Sequence, residues 1–192
     1  MVPPSKITAS ASDAIYIAPK TDVRYYLNGV ALYIKDNDIV SVAATDGNML
    51  ILLGSSSILD IKQENCAVIA NEDLPILERA LLKSNDVELI DGILKIGDYS
   101  MPISDGRFPD IKRVIPAKKR NTNLSNGIGV NTSLLSKLDK VSKCLKKNTL
   151  SDRDDVHMKM EFETEKDSIL CTFESQKNSI DDCICVIMPM RF

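Results

Sequence analysis

The chain has 192 residues, with 24 Lys and Arg against 27 Asp and Glu and a single histidine, for a formal net charge of −3. An apolar fraction of 44%, a charged fraction of 27% and only 8 Gly and 8 Pro exclude collagen-like, fibrous and disordered classes, and the length supports one substantial core, alone or with a smaller second one. No apolar run approaches the roughly 18 residues of a bilayer-spanning helix, the first residues lack a signal-peptide apolar region, and Cys66, Cys144, Cys171, Cys183 and Cys185 follow no disulfide spacing, so a cytoplasmic protein without membrane attachment is expected.

Residues 7–18 read as a helix stopped by Pro19. Alternating apolar positions predict strands over 23–34 and 39–44 around the turn Lys35-Asp36-Asn37-Asp38, and a third strand over 49–53. A strand over 67–70 opens a second unit. Its helix, 73–82, has Asn71 or Asp73 as cap and Pro75 in the first turn, where proline is tolerated. Asp91-Gly92 is a strong hairpin signal, and Gly97-Asp98 marks the next turn. The segment Asp105-Gly106-Arg107-Phe108-Pro109-Asp110-Ile111-Lys112-Arg113-Val114-Ile115-Pro116 follows. Residues 116–126 are polar and read as a linker, with Lys118-Lys119-Arg120 solvated.

A third unit starts at Ile128. Its helix, 132–147, carries five lysines against Asp139 alone. At 100° per residue Leu134, Leu138, Val141 and Leu145 share one stripe, and Lys137, Lys140, Lys143 and Lys147 lie opposite. Laid on a sheet by its leucines, the helix would project a row of ammonium groups suited to a phosphate backbone, with sequence-independent, salt-sensitive binding; the alternative is an ordinary amphipathic helix whose lysines serve solubility. In the next strand, 156–165, Val156, Met158, Met160 and Phe162 alternate with His157, Lys159, Glu161 and Glu163, the period of a half-buried strand. Strands 169–174 and 183–191 complete the unit, so one theme of helix followed by strands occurs three times.

The chain ends in Val186-Ile187-Met188-Pro189-Met190-Arg191-Phe192. Proline removes a ladder donor, so this last strand is expected at a sheet edge. Met188, Met190 and Phe192 then form soft surface suited to short peptides of varied sequence. His157, the only histidine, leaves almost no material for base-assisted nucleophiles or His-ligated metals, and no glycine-rich phosphate loop occurs. No enzyme, cofactor or metal site is expected, and Cys183 and Cys185 read as small buried hydrophobes on one strand face.

Three segments carry a resemblance: Val23-Arg24-Tyr25-Tyr26-Leu27-Asn28-Gly29-Val30 with Ala43-Ala44-Thr45-Asp46-Gly47, then residues 105–116, then residues 186–192. In this order they resemble the start and end of the middle domain and the C-terminus of the last domain of the bacterial DNA polymerase III beta sliding clamp. The resemblance implies an α+β DNA-clamp architecture, with helices packed on one face of antiparallel sheets. Residues 1–116 would be a complete clamp-like domain of two units, 117–125 a linker, and 126–192 half of a clamp domain.

The family's peptide pocket lies between its middle and last domains. Carried over by motif, it would comprise Leu27, then Thr45, Gly47, Asn48, Met49 and Leu50, with Pro109, Arg113 and Val114. The tail would close it with Val186, Met188, Pro189, Met190, Arg191 and Phe192, and counting back through the last strand pair adds Thr172. Arg24, Tyr25 and Tyr26 match a family loop that touches DNA. Family members usually carry His-Arg where Asn48-Met49 stand, so this pocket would be more apolar. They commonly have basic residues where Asn71, Glu72 and Asp73 stand, which leaves DNA contact to the 132–147 helix.

Family clamps close as rings of twelve helix-plus-strands units, so three units per chain imply a homotetramer joined head to tail. The implied function is to encircle duplex DNA and tether a polymerase and other proteins bearing clamp-binding motifs, with a clamp loader among the implied partners. The alternative is a truncated clamp-like decoy that sequesters clamp-binding peptides, or joins a host clamp, without encircling DNA alone.

Overall fold

Asp36 (φ 51°) and Asn37 (φ 60°) both adopt the left-handed conformation, the requirement of a two-residue hairpin turn that matches strand twist. They join β1 (Gly29–Lys35) to β2 (Asp38–Thr45), paired antiparallel from Ala31 opposite Ala43 to Lys35 opposite Asp38. This hairpin opens a computed structural model that describes residues 18, 21–54, 66–84, 86–116, 129–149, 156–162, 167–175 and 179–189. The expected 7–18 helix, apart from buried Ala18, and the expected 117–125 linker lie outside these residues.

β3 (Met49–Gly54) and β4 (Cys66–Ala70) follow, then helix α1 (Leu74–Leu81) and the strands β5 (Val87–Ile90), β6 (Ile93–Ile96) and β7 (Tyr99–Pro102). After the short α2 (Ile111–Val114) come the long α3 (Thr132–Thr149) and β8 (Val156–Glu161), β9 (Ile169–Ser175) and β10 (Ser179–Ile187). Seven strands form one sheet in the order β4-β1-β2-β3-β10-β9-β8, and β5-β6-β7 form a second. Asp91 (φ 48°) and Gly92 (φ 79°) make the β5–β6 turn.

The seven-stranded sheet is covered on both faces. Val30, Leu32, Ile51, Leu53, Cys171 and Cys185 join Leu74, Leu77 and Ala80 of α1 and Leu134, Leu138, Val141 and Leu145 of α3 in the main core. Val87, Leu94, Ile96 and Met101 of the smaller sheet belong to the same core. On the opposite face Ala31, Tyr33, Leu50, Leu52, Leu170 and Val186 pack with Phe108 and Ile111. Two buried faces explain why β1 up to Ile34 and β3 run continuously apolar, where alternation was expected.

Several boundaries differ from expectation. The strand expected over 23–34 begins only at Gly29, because Tyr25–Leu27 form a 3-10 turn. Asp22 N donates to Asn28 Oδ1 at 2.7 Å and Asn28 Nδ2 to Asp22 O at 2.9 Å. These side-chain bonds hold the backbone in a loop and compete with ladder pairing. Asp73 stands at the cap of α1 without a side-chain hydrogen bond.

The edge expected for the last strand is also corrected. β10 is interior, paired with β3 from Cys183 opposite Leu53 to Ile187 opposite Met49, and with β9 on its other side. The strand ends at Ile187, so Pro189 lies past the ladder and takes no donor from it. β8 is the outer strand instead, with His157, Met158 and Lys159 exposed and Val156, Met160 and Phe162 packed on the core.

Candidate functional site

The turn between β2 and β3 is cross-bonded by its own side chains. Thr45 Oγ1 donates to Met49 O at 2.7 Å and accepts from Gly47 N at 3.1 Å. Asp46 Oδ1 accepts from Asn48 N at 2.9 Å and Met49 N at 2.8 Å. Gly47 has φ +86°, where a side chain is strained. Met188 N, just past β10, donates to Asn48 O at 2.9 Å and joins the turn to the tail.

Two further segments complete the walls. The 3-10 turn lies against Gly106, where an added Cβ would sit 2.2 Å from Tyr26 Cβ. Phe108 and Ile111 are buried and anchor α2, whose cap Asp110 Oδ1 accepts from Lys112 N at 3.1 Å. Between them a cleft of about 190 Å³ is lined by Arg24, Tyr26, Leu27, Thr45, Gly47, Asn48, Met49, Leu50, Pro109, Val114, Val186 and Met188. None of these residues is acidic. An apolar concavity with a few polar groups at its rim suits a short peptide with aliphatic or aromatic anchors.

Arg24 supplies the charge at the rim. Its Nε and Nη2 donate to Asp22 Oδ1 and Oδ2 at 3.0 and 2.9 Å. The hydrogen bonds from Arg24 hold the Asp22 carboxyl below its usual pKa, and the same pairing raises that of Arg24. The guanidinium sits over Gly47, with Nη2 2.9 Å from where a Cβ there would be.

Ten residues expected from the sequence thus meet in the cleft: Leu27, Thr45, Gly47, Asn48, Met49, Leu50, Pro109, Val114, Val186 and Met188. Arg113 does not line it; its side chain is 86% exposed and pairs with Asp110 at 3.4 Å. Thr172 stands on β9 opposite Ile184, off the cleft wall. Pro189 is half-buried and also off the wall. Met190, Arg191 and Phe192 lie outside the described residues. Arg24 and Tyr26, assigned from sequence only to a DNA-touching loop, line the cleft. The Asp22–Asn28 spacing, able to close a loop that turns both inward, was the available signal.

The lysine row is interrupted. Leu134, Leu138, Val141 and Leu145 are buried as expected, and Lys140 and Lys143 are exposed. Lys143 pairs with Asp139 at 2.7 Å. The Lys137 ammonium, however, turns to Asp46 Oδ2 in the cleft turn. The Lys147 side chain lies outside the described residues. Tyr25 is 59% exposed and meets Tyr26 edge to face, centroids 5.8 Å apart, within the 3-10 turn.

Cys171, Cys183 and Cys185 are buried in the main core. Burial pushes the Cys171 thiol up to about 12, and that of Cys66 up to about 11. No helix among the described residues is long and apolar enough to cross a membrane.

The chain matches no family model. Over 125 residues it is 33% identical to the beta sliding clamp of Buchnera aphidicola subsp. Rhopalosiphum padi, covering 60% of this chain and 33% of that protein. It is 28% identical over 121 residues to the beta sliding clamp of Pseudomonas putida, covering 58% of this chain and 32% of that one. The chain therefore spans about a third of the length of the curated relatives it matches. Among solved structures, the DNA polymerase sliding clamp of Pseudomonas aeruginosa superposes with a TM-score of 0.68 at 20% identity, over 98% of this chain and 64% of that one. The sliding clamp from the same organism bound to griselimycin superposes at 0.66 and 20% identity, over 100% of this chain and 64% of that one. The chain has the sliding-clamp fold, and its sequence is similar to bacterial beta sliding clamps.

Proposed function

We propose that the chain is a clamp-like DNA replication factor that encircles duplex DNA as a homo-oligomeric ring and tethers partner proteins through the cleft. Residues 1–116 act as a full clamp domain and 126–192 as half of one, so four copies joined head to tail close the ring. The cleft takes short linear segments of a polymerase and other partners, with Leu27, Leu50, Val114, Val186 and Met188 receiving their apolar anchors and Arg24 marking the rim. The sequence-distant tail residues Met190 and Phe192 add to that grip. Lys140, Lys143 and Lys147 of α3, with Arg24 and Tyr25, meet the DNA backbone without reading sequence.

The observation that carries this reading is the convergence of four chain segments on one apolar cleft, in a chain similar to proteins named beta sliding clamps. A ring remains on closed circular DNA through a high-salt wash and is lost when the circle is cut. Loss at high salt from closed circles as well, or a monomeric native mass, overturns the ring. Met190→Ala with Phe192→Ala is expected to abolish peptide binding; unchanged affinity overturns the tail's role.

A second reading, a decoy that binds partners without encircling DNA, is favoured by one feature. Lys137 and Lys143 are both engaged by carboxylates, which lowers the charge α3 presents. A decoy binds peptide but shows no retention that depends on the circle being closed.

A further inference from the structure

Asp46 uses its two carboxylate oxygens for different tasks. Oδ1 accepts from the Asn48 and Met49 amides, two residues of the cleft wall. Oδ2 takes the ammonium of Lys137, ninety-one residues away on α3. Because the oxygens belong to one rigid plane, fixing Oδ2 fixes the direction from which Oδ1 meets the two amides. Lys137 reaches from a firm base, since Leu134 and Leu138 on the same helix are buried in the main core. The pair is largely removed from water, at 28% exposure for the Lys137 side chain and 12% for that of Asp46. Ordinary surface pairs, such as Lys143 with Asp139 at 74% and 61%, lack that shielding and count for little.

We infer that Lys137 is a positioning residue of the cleft, acting through Asp46 to hold the turn that carries Asn48 and Met49, and not a phosphate contact of the α3 lysine row. The inference rests on the reading of the cleft as a peptide site, and it departs from the sequence expectation that groups Lys137 with Lys140, Lys143 and Lys147.

The test uses the full chain, with griselimycin as the cleft probe and amide hydrogen exchange on the unliganded protein. Lys137→Met removes the charge at similar length, and Asp46→Asn keeps an oxygen for the amides while losing the carboxylate. Each is expected to weaken griselimycin binding by about fivefold, as for a partly shielded ion pair. The double variant is expected to be no weaker than either single one, because both remove one shared interaction. Lys137→Arg is expected to restore binding, and Lys95→Met, at an exposed lysine of β6, to leave it unchanged. Exchange at the Asn48 and Met49 amides is expected to quicken in Lys137→Met while the variant melts as a folded protein. Unchanged exchange, or losses that multiply in the double variant, overturns the inference. Failure of the unaltered chain to bind griselimycin overturns the peptide reading, and faster exchange in Lys137→Met would then still establish the positioning role.

Discussion

Gly47→Ala tests the cleft rim most directly. At φ +86° an alanine costs about 1–2 kcal/mol in backbone strain, offset by about 0.4–1 kcal/mol of lower unfolded-chain entropy. The net, about 1 kcal/mol, corresponds to a fall in Tm of roughly 2–4 °C for a chain of this size. Gly92→Ala is the control, because Gly92 has φ +79° and an added Cβ there meets nothing within 4 Å. At Gly47 the new methyl would instead lie 2.9 and 3.0 Å from Arg24 Nη2 and Nη1, and the guanidinium must shift. Its pairing with Asp22 is exposed enough that the shift costs little global stability, but it occurs at the cleft mouth. The two variants should therefore melt within about 2 °C of each other, while only Gly47→Ala weakens binding of a short peptide with aliphatic and aromatic anchors, by roughly tenfold. Arg24→Ala in the Gly47→Ala background should relieve the crowding. Equal peptide affinity in the two glycine variants, measured by calorimetry, would refute the reasoning.

Leu138→Ala, in the buried stripe of α3, should lose about 2–5 kcal/mol in urea unfolding, whereas Leu135→Ala at 40% exposure should stay within about 0.5 kcal/mol; similar losses would show that α3 does not pack by this face. Met188→Ala should weaken binding of the same peptide with little change in Tm, since Met188 lines the cleft at 41% exposure; full affinity would remove it from the site. Stability should fall in alkali. The folded Cys66 and Cys171 thiols hold their protons up to about 11 and about 12, against 9.0 for an unperturbed thiol. Above pH 9 the unfolded chain therefore binds fewer protons than the folded one, and stability present below pH 9 is lost as pH rises through 11. Urea midpoints that stay level from pH 8 to pH 11 would contradict this.

Local chemistry was legible where a short stretch permits one answer. Asp36-Asn37 and Asp91-Gly92 announce their hairpins because those turns demand positive φ. The Leu134, Leu138, Val141 and Leu145 stripe announces its buried face because helical period maps sequence onto geometry. Most of the cleft was legible as well, through the residues of 45–50 and 186–188. The 3-10 turn at Tyr25–Leu27 was not, because the bonds that override strand propensity come from side chains six residues apart.

Sequence alone determined the hairpin turns, the buried stripe of the long helix and the residue types available to a cleft, since periodicity and turn chemistry act within a few residues. Tertiary structure alone decided that β10 lies between β3 and β9 instead of at an edge, that Arg24 leans over Gly47, and that Lys137 serves Asp46. Strand pairing and ion pairing join groups far apart in the chain, and which partners meet depends on how the whole core closes.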